Sequence, residues 1–148
     1  MIQELNDDTS MIYKLIADRR GRECMLRVRT PEGHSLAGLL FVTSDHNGRK
    51  IFLTLTEDGS LTGTDWEGKK IILDGSISSL CAMLEHREIL TSFFALAILL
   101  AFERGLTWMG GMFQAVYLRE WQKCFVQVLN ELDMNDEAER IKLYDCSG

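Results

Sequence analysis

Two groups of residues in this sequence have types suited to chemistry. Glu85-His86-Arg87-Glu88 and Glu103-Arg104 carry carboxylates and an imidazole, the groups that move protons or ligate metals. The segment Gly105-Leu106-Thr107-Trp108-Met109-Gly110-Gly111-Met112-Phe113-Gln114 has paired glycines ahead of a strong helical pattern. Glycines there let a ligand or another backbone approach the free N–H groups of a helix start, which bind anions or carbonyl oxygens. Trp108, Gln114 and Tyr117 would add an aromatic wall and directional hydrogen bonds around Gly110 and Gly111, with Glu85, His86 or Glu103 contributing charge.

Spacing weakens the first group. Glu88 and Glu103 are fifteen residues apart, so on one straight helix they stand roughly 22 Å from each other and share no site. His86 has no second histidine three or four residues away, and His34 and His46 fall in expected turns. Solvated helix ends are the weightier reading, and no metal site and no cofactor are expected. The glycine pair also has a plain reading, a tight interhelical turn with the neighbouring Trp, Met and Phe in the core, and packing outweighs a ligand there. No Gly-Lys-Ser/Thr follows the glycines as a P-loop requires, no GxSxG elbow occurs, and no Ser or Cys is paired locally with His. No catalytic residue is assigned.

The four cysteines, Cys24, Cys81, Cys124 and Cys146, contain no CxxC spacing. The first three lie on apolar faces, where a free thiol acts as a small hydrophobe, and Cys146 reads as an exposed tail thiol. The opening Met-Ile-Gln-Glu-Leu-Asn-Asp-Asp has neither a basic start nor an apolar h-region, so a secretory signal is not expected and the reading is cytoplasmic. A net charge of −6 disfavours nucleic acid. Lys14, Arg19, Arg20, Arg22, Arg27 and Arg29 do cluster, but a solvated face is the stronger reading. Aromatic and basic residues are not read as interleaved on any strand, which argues against a sheet that stacks bases.

The elements that must position these residues follow from periodicity, which changes near residue 75. Before it, short alternating stretches separated by turn residues predict an antiparallel meander of about five strands. These are Cys24 to Val28, Leu36 to Thr43 as a central strand apolar on both faces, Ile51 to Leu55, a weak fourth, and Ile71 to Leu73. Asn47-Gly48 suggests a tight hairpin. Met11 to Ala17 fits either a helix capped by Thr9 or Ser10 or a further strand.

After Gly75 the pattern is helical. Ser76 caps a helix bearing Ile77, Leu80, Cys81 and Leu84, and the run Ile89 to Phe102 is apolar except for Thr91 and Ser92. At fourteen residues that run falls short of the roughly 17 to 25 needed to span a bilayer, so no membrane is expected and it reads as a buried central helix ended by Gly105. Trp121, Cys124, Phe125, Val128, Leu129 and Leu132 form an amphipathic helix, and a short one starts at Asn135.

The chain of 148 residues is expected to be one α+β domain over 1–148, β-rich in 11–75 and helical in 76–145, its meander packed on three to five C-terminal helices. The function expected is a noncatalytic binding or protein-interaction module. The central run is so uniformly apolar that a chain this short struggles to cover it, which points to a homodimer or a protein partner. The alternative is a small-molecule-binding protein or small enzyme with its pocket at Gly110-Gly111.

Overall fold

The computed structural model describes residues 1–106 and 112–146, with side chains given for 1–106 and 117–146. It is an α+β fold. Three helices come first: α1 (Ile2–Leu5), α2 (Met11–Ala17) and α3 (Arg19–Arg27). Ser10 caps α2 by accepting from the Tyr13 N–H, and Ile12, Leu15 and Ile16 are buried, so the ambiguous segment is a helix.

The expected strand at Cys24 to Val28 is instead the end of α3. Alternation of Cys24, Leu26 and Val28 loses to a helical set, because Gly21, Cys24 and Met25 are the buried residues of α3 and Leu26 remains half-buried. Asp18 supplies the cap by accepting from the Arg20 N–H. Gly21 is what lets α3 fold back on α2, since a Cβ there would stand 2.6 Å from the Leu15 carbonyl oxygen.

Leu36 to Thr43 is likewise shorter as a strand than its apolar content suggests. Ser35 caps a 3-10 turn at Leu36–Leu39, and β1 occupies only Phe41–Ser44. The sheet continues with β2 (Lys50–Leu55), β3 (Ser60–Thr64) and β4 (Lys70–Asp74). With β5 (Leu90–Thr91) it has the order β4-β3-β2-β1-β5, and every pairing is antiparallel.

The three hairpins of the meander share one turn. In the first, Asp45 N–H donates to Arg49 O and Gly48 N–H to Asp45 O, and the same pair of bonds recurs at Thr56/Ser60 and Asp65/Lys69. Gly48 has a left-handed φ and Asn47 does not, so the turn is a three-residue loop with a glycine bulge and not the two-residue hairpin that Asn-Gly suggests.

Helix α4 (Ile77–Glu85) is capped by Ser76 as expected. The apolar run is not one straight helix. Its two polar residues break it: Thr91 pairs with Phe41 in the sheet, and Ser92 caps α5 (Phe93–Ala97) by accepting from the Ala95 N–H while donating to the Leu39 carbonyl. α5 runs on into a π-helical segment, Ile98–Glu103. Phe94, Ala95, Ala97, Ile98, Leu99, Ala101 and Phe102 are buried here, so the run does form the central helix of the core. Gly105 ends it with φ 63°, and Leu106 N–H returns to Leu100 O.

Helices α6 (Met112–Glu131) and α7 (Asn135–Lys142) complete the chain. Cys124, Phe125, Val128 and Leu129 of α6 are buried. Cys146 is buried as well, which corrects the reading of an exposed tail thiol; Gln122 of α6 donates to the carbonyls of Ile141 and Tyr144 and so ties the tail down. Among the described residues no helix is long and apolar enough to cross a membrane.

Candidate functional site

An apolar groove of about 370 Å³ is lined by Leu39, Lys50, Phe52, Ser92, Phe93, Phe94, Tyr117 and Trp121. Three elements position it. Alternation along β2 sends Ile51, Leu53 and Leu55 into the core and leaves Phe52 52% exposed on the opposite face. The Ser92 cap begins α5 at Phe93, and consecutive helical residues diverge, so Phe94 is buried while Phe93 stays open to solvent.

Tyr117 and Trp121 lie one helical turn apart on α6, and their rings stack at 6.1 Å and 26°. Trp121 also meets Phe94 edge-on at 5.1 Å and 88°, and Phe93 at 6.0 Å and 64°. These four rings form one wall with mutually favourable geometry. The polar complement is small. The Ser92 hydroxyl is committed to Leu39 O and Ala95 N–H, and Lys50 Nζ lies 4.6 Å from the Phe52 ring centroid. Lys50 and Phe52 thus share a face of β2, which corrects the reading that no strand interleaves basic and aromatic residues.

No protein-family model, curated protein or solved structure matches the chain.

Of the residues singled out in the sequence, Tyr117 lines this groove, 46% exposed. Trp108, Gly110 and Gly111 lie outside the described residues, as does the side chain of Gln114, whose backbone is in α6. Glu85 and His86 are exposed at the end of α4. Glu103 is elsewhere, half-buried at the end of the π-helical segment, where its Oε1 accepts from the Met11 N–H at 3.2 Å and its Oε2 is buried with no hydrogen-bond partner among the described residues. Among the described residues no hydrogen bond or ion pair joins Glu85 or His86 to Glu103, and no cluster of three His, Cys, Asp or Glu side chains is placed to hold a metal.

Burial pushes the Glu103 carboxyl above the ordinary range; the Met11 N–H and Arg140 oppose the shift, and Glu4 and Asp7 reinforce it. The four thiols are also pushed up by burial, which makes them poor nucleophiles. The N-terminal cations are engaged internally. Arg20 donates to Glu131 O and Asp133, Arg27 pairs with Glu131, Arg19 with Glu23, and Lys14 with Glu137. Arg22 holds the carbonyls of Ile16, Ala17 and Glu57.

Leu39, Phe52, Phe93, Phe94 and Trp121 are groove residues that the sequence reading left among the core and strand positions. Signals for them exist: Lys50 and Phe52 are two apart on a strand, and Tyr117 and Trp121 four apart on a helix.

Proposed function

We propose that this protein is a noncatalytic interaction module whose aromatic groove receives an amphipathic segment of a protein partner, and that it works as a homodimer in the cytoplasm. The observation that carries the reading is the lining of the groove. Among the described residues five aromatic side chains and Leu39 line it, and its polar groups are few: the Lys50 ammonium, the Tyr117 hydroxyl and the committed Ser92 hydroxyl. A metabolite pocket fixes its ligand through a small number of precisely placed, convergent polar groups. An apolar side chain anchored among aromatics, with a carboxylate reaching Lys50, suits this surface better.

Self-association is supported by the free edge of the sheet: Ile72, on the terminal strand β4, is 70% exposed, and an apolar residue on an unpaired edge strand favours pairing with another strand. Four free cysteines suit a reducing compartment.

The test is peptide display on the purified protein beside a metabolite panel, both read by tryptophan emission. Enriched peptides with apolar residues three and four apart and a nearby acid, binding saturably, are expected. A saturable response to a metabolite with no peptide enriched would overturn the reading in favour of a small-molecule site.

A further inference from the structure

We infer that the second copy in the homodimer docks on the free edge of the sheet, β4 pairing antiparallel with β4 of its partner across a twofold axis at Ile72. The inference rests on the self-association in the proposed function and not on the groove.

Strand β4 is the terminal strand on its side of the sheet, and among the described residues its backbone bonds to no element but β3. Hydrogen-bonded and non-hydrogen-bonded pairs alternate along an antiparallel ladder. Asp65 N–H donates to Lys69 O, so Gly63↔Ile71 and Leu61↔Leu73 are the bonded pairs that follow in the β3–β4 register. Lys70, Ile72 and Asp74 therefore turn their N–H and C=O groups away from β3, toward the open edge.

An edge strand with bare N–H and C=O groups is a template for another strand, and the side chains of β4 select which. Read antiparallel to itself about Ile72, Lys70-Ile71-Ile72-Leu73-Asp74 places Lys70 opposite Asp74 of the other copy and Asp74 opposite Lys70. It also places Ile71 opposite Leu73, and Ile72, 70% exposed, opposite itself. The backbone phase and the charges agree on this register: the outward-facing residues 70, 72 and 74 fall at its hydrogen-bonded pairs. Shifting the axis to Ile71 or Leu73 keeps bonds possible but sets Lys70 or Asp74 against Ile72. A lone edge lysine discourages pairing, whereas here Asp74 of the partner copy neutralises it. Lys70 has no ion-pair partner within its own chain among the described residues. The arrangement is isologous, as a twofold dimer requires, and joins two five-stranded sheets into one.

The experiment is mass by light scattering over a concentration series, with cross-linking by oxidised glutathione. Wild type should give a two-chain mass at high micromolar concentration. Ile72→Lys, which sets two like charges against each other on the axis, and Lys70→Asp, which makes both symmetric 70–74 contacts repulsive, should each weaken the dimer about tenfold or more, and Lys70→Asp with Asp74→Lys should recover it. Asp74 also accepts from Ser76 at the start of α4, so the double variant is paired with a thermal melt. Ile72→Cys should form a disulfide dimer, because facing Cα atoms of a hydrogen-bonded pair stand about 5.5 Å apart, within disulfide range. Lys70→Cys, which faces residue 74, should not. A one-chain mass at every concentration overturns both this inference and the homodimer. A two-chain mass indifferent to Ile72→Lys and Lys70→Asp, with no cross-link through Ile72→Cys, keeps the homodimer and overturns the edge. Phe52→Asp should leave the mass unchanged, which separates this contact from the groove.

Discussion

Replacing Gly21 by alanine sets two effects of opposite sign against each other. Gly21 lies inside α3, and in a helix interior alanine is favoured over glycine by about 1 kcal/mol. Against that, the added Cβ would stand 2.6 Å from Leu15 O, 2.9 Å from Leu15 Cα and 3.0 Å from Leu15 C. These are backbone atoms of α2, which cannot rotate away as the end of a side chain can, so α2 and α3 must separate. Overpacking of this kind costs about 1 to 3 kcal/mol, and three backbone contacts place Gly21→Ala toward the upper end. The clash therefore wins, with a net loss of about 1 to 2 kcal/mol. For a domain of this size that lowers the melting temperature by about 2 to 8 °C. Urea and thermal unfolding of Gly21→Ala and Gly21→Val against wild type measure it, and valine should lose more. An alanine variant equal to or more stable than wild type would refute the close approach of α2 and α3, and with it the assignment of Arg19–Arg27 as a helix packed on α2.

Other outcomes follow from single side chains. Ser92→Ala removes the α5 cap and leaves the Leu39 carbonyl without its donor, a loss of about 2 to 3 kcal/mol in urea unfolding; a change below a few tenths would contradict the role given to Ser92 in breaking the run. The raised Glu103 carboxyl stabilises the fold in its protonated form below its unfolded pKa, and that contribution is lost as pH rises through the folded value. Glu103→Gln should therefore flatten the pH dependence of stability in the mildly acidic range and equal or exceed wild type at neutral pH, whereas a Gln variant weaker there would reverse the sign. All four thiols, Cys146 included, are buried, so Ellman's reagent should react slowly with native protein and rapidly after denaturation. Fast labelling of Cys146 alone would return it to the surface.

The legible parts of the fold are those where local chemistry and tertiary packing agree. The Ser76 cap, the Gly105 stop, the α6 pattern and the turns after β1, β2 and β3 all fall where residue type alone places them. Misreadings arise where a short apolar segment fits two periods. Cys24 to Val28 alternates, yet the Asp18 cap and the contact of Gly21 with Leu15 make it helical, and that contact is invisible in sequence. Within Ile89 to Phe102, fourteen nearly apolar residues conceal a strand, a cap and a helix; only Thr91-Ser92 signals the division. The groove was hard to foresee because β2, α5 and α6 build it from segments distant in sequence. Of the residues singled out in the sequence, Tyr117 lies in it, stacked on Trp121 one helical turn away.

The central claim is that the aromatic groove, not a catalytic centre, is the working surface. The most direct measurement is the affinity of a display-selected peptide for wild type and for Phe52→Asp, each with its melting temperature. Because Phe52 is half exposed, the variant should melt close to wild type while binding at least about tenfold more weakly, as loss of one buried aromatic anchor implies. Equal affinity in the two proteins, at equal stability, would contradict the account.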